Sequence, residues 1–277
     1  VHKIAKVSLI TGLLVACVPI PTPASTDDKY PEIHCKHFFY GCPTGTPATN
    51  DLIIRDDYAL SSNDETKFAD WVAYRLDATT IEGNVETARN WMTDPWLAPE
   101  ETLEAKPDDY TGANAALGVD RGHQAPLASF KGTLVWWETN YYSNITPQMA
   151  PLNQGPWVKI EEMERDLARA GDVVYVMTGP LYERDMPPLP EADESHRVPS
   201  GYWKIVATQS GEDYDSIRVV AFIFDQETPR DDPVVNHFVT IDDVEARSAL
   251  DVMWELPDDF EEAIEARLDT EWTNDNF

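Results

Sequence analysis

One segment of the chain is punctuated as a helix at both ends, and it limits what its surroundings can be. Pro156 stands at a first helical position, Trp157, Ile160, Met163 and Leu167 recur at helical spacing, and Gly171 stops the run after Ala170. The main apolar runs around it are short, β-branched and aromatic, so they read as strands: Phe68 to Leu76, Val173 to Thr178, Trp203 to Thr208 and Ile217 to Phe224. Thr240-Ile241-Asp242-Asp243 opens a further helix in capping-box style, and Pro257 starts another that runs through Arg267. Residues 84–120 read as loop, broken by Asp94-Pro95, Pro99, Lys106-Pro107 and Gly112. Strands and helices interleave without a βαβ period or an internal repeat, which predicts one α+β domain. Nine Trp, eleven Tyr and nine Phe supply a core and exclude wholesale disorder.

Residues 1–24 read as a segment to be removed. Lys3 and Lys6 form a positive start, Val7 to Val18 is apolar but shorter than the roughly 18–20 residues of a membrane span, and Pro19, Pro21 and Pro23 end it. Thr22-x-Ala24 offers a small-residue cleavage site. Leu14-Val15-Ala16-Cys17 also resembles a lipobox, in which Cys17 would carry a lipid, so both free release and anchoring stand as readings of one export signal. The alternative, a buried N-terminal helix, fits these flanks poorly. Export predicts a secreted, extracellular or periplasmic protein whose only membrane contact is a lipid at Cys17. Residues 25–65 read as linker and loop, and 66–277 as the folded domain. In an oxidising compartment Cys35 and Cys42 are close enough in sequence to close a small disulfide loop, the preferred reading over a metal site with His34 or His37.

Fifty acidic residues against 21 basic ones give a formal charge of −29, and removal of residues 1–24 takes away two lysines and no acid. Such a surface repels phosphates at low salt, and by itself it argues against a nucleic-acid binder. At about 1 M salt the Debye length falls to roughly 3 Å and the repulsion fades. The charge therefore points to a saline setting, the plainer reading being a surface that is merely soluble.

Four stretches concentrate the reactive side chains. Asp120-Arg121-Gly122-His123-Gln124-Ala125-Pro126-Leu127 places a histidine near the end of a strand beside an arginine, as a base or as a structural histidine. Asn153 precedes the helix, either capping it or offering its carbonyl oxygen to a hard cation such as Mg²⁺. Glu161 and Arg165, four apart on the helix, read as a surface ion pair or as site residues. Arg89 lies in the loop-rich stretch. Together they supply a base, a hard-metal ligand, a carboxylate for metal-bound water and cations for an anion, the components of metal-assisted phosphodiester hydrolysis.

These stretches resemble the secreted DNA/RNA non-specific endonucleases of the Serratia nuclease type, which carry the ββα-metal (His-Me finger) motif. The likeness runs through Trp71-Val72-Ala73-Tyr74, Arg89-Asn90-Trp91, Asp108-Asp109-Tyr110-Thr111-Gly112-Ala113-Asn114, Asp120-Arg121-Gly122-His123, Ser143-Asn144-Ile145-Thr146-Pro147-Gln148, Leu152-Asn153-Gln154-Gly155 and Thr178-Gly179-Pro180-Leu181-Tyr182-Glu183-Arg184. The resemblance implies a central antiparallel sheet flanked by helices, with His123 as general base. Asn153 would be the one direct protein ligand of Mg²⁺, with Mn²⁺ as a substitute, and Glu161 would hold metal-bound water. Arg89, Arg121 and Arg165 would stabilise the phosphate. DNA and RNA would be cut to 5′-phosphorylated oligonucleotides by a monomer or homodimer with no protein partner.

Two departures stand out. The family's second disulfide, tying a late strand to the C-terminus, has no cysteines here, so the C-terminal third is expected to melt early. Met149 and Pro151 replace the usual polar residues beside the metal asparagine. A non-catalytic nucleic-acid-binding protein on the same fold is the alternative, although both His123 and Asn153 are retained. A serine hydrolase is set aside because the chain lacks a Gly-x-Ser-x-Gly elbow.

Overall fold

A computed structural model describes residues 33–277, apart from Asn84, Glu86 and Thr87. The export segment with Cys17 lies outside the described residues. In chain order the elements are β1 (Asp51–Ile54), β2 (Tyr58–Ser62), β3 (Ala69–Leu76), α1 (Ala78–Ile81), α2 (Ala113–Leu117), β4 (Val119–His123), β5 (Ile145–Met149), α3 (Ala150–Leu152) and α4 (Val158–Ala170). They continue with β6 (Val174–Leu181), β7 (Gly201–Gln209), β8 (Ile217–Asp225), β9 (Phe238–Val239), α5 (Ile241–Ser248), α6 (Asp258–Glu265) and α7 (Thr270–Asn276), together with several 3-10 turns.

Seven strands form one antiparallel sheet in the order β1-β2-β3-β6-β7-β8-β9, and β4 pairs with β5 in a separate hairpin. The period of two along each strand sends alternate side chains to opposite faces. On β3, Val72 and Tyr74 join the cluster that holds Trp157, Ile160 and Leu167 of the α4 region. Trp71 and Ala73 join the cluster with Ile241 and Val244 of α5 and Ile264 of α6. Both faces are covered, so the inner strand β7 is buried along nearly its whole length. The α+β architecture expected from the sequence is the one observed.

Several boundaries shift. The expected linker over residues 25–65 ends early: β1 and β2 lie inside it, and every residue of β2 is buried. Pro156 is not the first residue of the regular helix. Residues 153–157 form a wider turn with a kink at Gly155, and α4 begins at Val158 and ends, as expected, on left-handed Gly171. The capping box at Thr240 is present, its hydroxyl accepting from Asp243 N. The Cys35–Cys42 disulfide is not formed in the structure, where both are free thiols. Burial in the apolar cluster beside Phe39 and Trp71, with Cys35 near by, pushes the Cys42 thiol up to about 12, so the neutral thiol is the stable form there.

Candidate active site

The hairpin brings His123 opposite Ile145 and Arg121 opposite Pro147. Arg121 and His123 are two apart and so share a face. Gly122 between them is required by packing: a Cβ there would lie 2.7 Å from Gln148 Oε1 and 2.8 Å from Gln148 Cβ. After β5 the chain turns through α3 into α4, and the Gly155 kink is equally constrained, since a Cβ would sit 2.4 Å from the Arg230 carbonyl oxygen. The result is two antiparallel strands followed by a helix, folded around a cavity of about 800 Å³. Its walls include all six residues singled out from the sequence, namely Arg89, Arg121, His123, Asn153, Glu161 and Arg165.

His123 Nε2 lies 3.3 Å from Asn140 Oδ1. The Asn140 amide nitrogen donates to the carbonyls of Ala88 and Trp137, at 3.2 and 3.3 Å, so its oxygen is the end facing the imidazole. An oxygen there only accepts. Nε2 therefore carries the ring proton, and Nδ1 keeps the lone pair that a base needs. The Trp91 ring packs at 5.3 Å. Burial lowers the imidazole to about 4, the Asn140 bond opposing and the Arg89 charge adding, so His123 is neutral at pH 7.

Asn153 does not cap the helix with its side chain. Its amide nitrogen donates to Asp120 Oδ2 at 2.9 Å, and Gln154 donates to the same oxygen at 2.7 Å. Asp120 thereby fixes the carboxamide by its nitrogen end, leaving the carbonyl oxygen, the donor a hard cation prefers, as the end not engaged by Asp120. The Glu161 carboxyl makes no hydrogen bond among the described residues. Burial raises it to about 7, Lys204 opposing and Glu164 adding, with Arg165 and Arg89 also opposing. A carboxamide oxygen and a carboxylate lacking a hydrogen-bond donor in one polar cavity suit a hydrated divalent cation, one as ligand and the other as acceptor for its water.

The cations divide into two kinds. Arg121 is held: Nε donates to Tyr142 Oη at 3.0 Å, a terminal nitrogen reaches Asp108 at 2.5 Å, and the guanidinium lies between the Trp91 and Tyr110 rings. Arg89 is exposed at the cavity wall, and its charge is felt by both His123 and Glu161. Of the two readings of Glu161 and Arg165, the surface ion pair is not formed, and both residues line the cavity. Arg165 is buried and bonds Glu162, three residues back, at 2.7 Å and Ser129 Oγ at 3.2 Å. Lys131 adds a fourth cation to the lining, against the carboxylates of Asp120 and Glu161. A strongly acidic chain thus presents a locally cationic cavity.

Reading the sequence alone misses Asn140, Lys131 and the orienting role of Asp120. Asp120 is adjacent to a recognised residue in the Asp-Arg-Gly-His run. Asn140 lies in a short 3-10 turn with no pattern around it, and only the tertiary contact reveals it.

This hairpin-and-helix frame, with an imidazole at a strand end and a carboxamide ahead of the helix, defines a ββα-metal nuclease. The chain belongs to the DNA/RNA non-specific endonuclease family, whose model matches residues 39–259. It is 47% identical over 229 residues to a "Nuclease" of Serratia marcescens, covering 82% of this chain and 84% of that one. It is 27% identical over 275 residues to a "Nuclease" of Nostoc sp., covering 95% and 97%. Human "Endonuclease G, mitochondrial" is 28% identical over 222 residues, covering 74% of this chain and 70% of that one. The fold also matches an EndoG/EndoGI complex with a TM-score of 0.63 at 23% identity, over 77% of this chain and 89% of that one.

Proposed function

We propose that this nuclease hydrolyses internal phosphodiester bonds of both DNA and RNA with one hydrated Mg²⁺, for which Mn²⁺ substitutes, and leaves 5′-phosphorylated oligonucleotides. The observation that carries the reading is the shared cavity in which a neutral imidazole, an oriented carboxamide, a carboxyl and four cations meet. Asn153 Oδ1 would hold the metal directly and Glu161 through water. When bound, the cation supplies charge to stabilise the phosphorane-like transition state and the leaving 3′ oxygen. His123 Nδ1 takes a proton from the attacking water, while Asn140 holds the Nε2 proton in place. Arg89, Arg165 and Lys131, all lining the cavity, offer charge to the phosphate oxygens where negative charge grows. Arg121, tied to Asp108 and Tyr142, shapes the wall beside the base and adds to the field.

The reading includes export, by release or by a lipid at Cys17, as a monomer or homodimer without a protein partner. It also includes closure of Cys35 and Cys42 into a disulfide once the chain meets an oxidising compartment. Digestion of plasmid DNA and of RNA, with Mg²⁺ and with EDTA, is the direct test. Both substrates are expected to be cut with metal and spared without it; intact substrates in Mg²⁺ would favour the non-catalytic binding reading. Asn153→Ala is expected to raise the Mg²⁺ concentration for half-maximal rate by about tenfold or more, and an unchanged requirement would remove Asn153 as the ligand.

Salt is expected to raise activity before it lowers it. Screening relieves repulsion between the substrate and a surface of charge −31 once Lys3 and Lys6 are removed with residues 1–24. Counterion release weakens phosphate contacts in the opposite direction. A rate profile in NaCl with a maximum above low salt is the expected outcome; a monotonic fall would show that counterion release dominates.

A further inference from the structure

We infer that a hard divalent cation, of which Ca²⁺ fits best, binds between α5 and α6 on Asp242, Glu245 and Glu265 and fastens the C-terminal helices together. One carboxylate oxygen from each of the three lies within 4.8 Å of the others. That is the span of ligands on opposite sides of a Ca²⁺ ion at Ca–O distances of about 2.3–2.6 Å. Mg²⁺ keeps most of its waters and takes fewer direct carboxylates, so it fits this triad less well.

The acidic cluster runs from solvent into the fold: Asp242 is exposed, Glu245 is half-buried and Glu265 is buried. Glu265 is only 8% exposed, and its Oε1 is buried without a hydrogen-bond partner. Ile241 and Val244 of α5 and Ile264 of α6 are buried beside it, an apolar floor that strengthens charge repulsion. Glu245 Oε1 accepts from Val252 N at 2.8 Å, which fixes that carboxylate toward the loop after α5. No Lys or Arg forms an ion pair with any of the three among the described residues, whereas Asp251 and Glu261 add further negative charge. Burial and these neighbours raise Glu245 to about 7 and Glu265 to about 8. Such a cluster must take up protons or a cation at neutral pH, and a cation satisfies the orphaned oxygen and the repulsion together. None of these residues lines the active-site cavity.

The test uses the full chain carrying Asn153→Ala, which weakens the active-site metal, and reads the α5–α6 site as the difference between that protein and the one that also carries Glu265→Gln. Calorimetric titration with CaCl₂ is expected to show one site, with MgCl₂ at least about tenfold weaker. At a hundredfold excess over Kd, Ca²⁺ is expected to raise the unfolding midpoint by about 5–10 °C relative to EDTA. Adding Glu265→Gln is expected to abolish that rise while leaving the midpoint in EDTA equal or higher, because repulsion is relieved. Should that variant not fold, Asp242→Asn serves in its place. Absence of any Ca²⁺ rise in the parent would mean that protons alone settle the cluster, and would overturn the proposal. An undiminished rise in the Glu265→Gln or Asp242→Asn protein would overturn it as well.

Discussion

Replacing His123 by alanine is expected to slow plasmid cleavage by about 10²–10⁴-fold, the range a positioned base contributes, without unfolding the chain. The side chain is partly exposed at the end of β4 and its removal opens no sealed core. A rate within a few-fold of the parent, with an unchanged circular-dichroism spectrum, would remove His123 as the base. The imidazole offers a second check through its own NMR titration in the metal-free protein. It is expected to titrate near 4, below the ordinary histidine value of 6.5, because burial disfavours the cation and the Asn140 bond only partly offsets it. Between those two pH values the unfolded chain takes up a proton that the folded chain refuses. This group therefore lowers stability as pH falls from 6.5 toward 4 and contributes nothing above 6.5. A titration at 6.5 or higher would show a solvated ring.

The largest stability effect is expected at Lys204→Met. Lys204 Nζ lies 2.7 Å from Glu164 Oε1 with both side chains wholly buried between α4 and β7. Tyr74 Oη donates to the other Glu164 oxygen at 2.7 Å, and the ammonium stands 4.5 Å from the Trp157 ring. Removing the lysine leaves a buried carboxylate without its counter-charge, which costs about 3–5 kcal/mol, or roughly 6–20 °C in melting temperature. Lys204→Met combined with Glu164→Leu is expected to recover most of that loss, since two packed apolar side chains replace the pair without desolvating charge. A single-variant loss below about 1 kcal/mol would show that the pair contributes little to stability. The same pair lies under the active site, because Lys204 and Glu164 both act on the Glu161 carboxyl. Core stability and the charge of the Glu161 carboxyl are thus coupled through one helix.

The strands β3, β6, β7 and β8 and the helices α4, α5 and α6 were legible because each carries a long apolar pattern with turn or cap residues at its ends. β2 was not. Its sequence, Tyr58-Ala59-Leu60-Ser61-Ser62, is short and ends in two serines, and those serines are buried. Asn50 donates to Ser61 Oγ at 3.0 Å, a contact that no local pattern announces. The partner of Arg165 is not legible in the sequence, because i,i+3 and i,i+4 residues are both neighbours on a helix, and the contact with Ser129 is tertiary.

The amino-acid order determined the class of chemistry through its family resemblance, because His123, Asn153 and Glu161 lie in or beside the short runs that carry it. It also determined the α+β composition, through the lengths and periods of its apolar runs. Only the tertiary structure decided which nitrogen of His123 is basic, how Asp120 turns Asn153, and why an acidic chain has a cationic cavity. Those outcomes depend on groups far apart in sequence, Asn140, Asp120, Lys131 and Arg89 among them. Their electrostatic effect exists only at a few ångströms' separation in a partly dehydrated space.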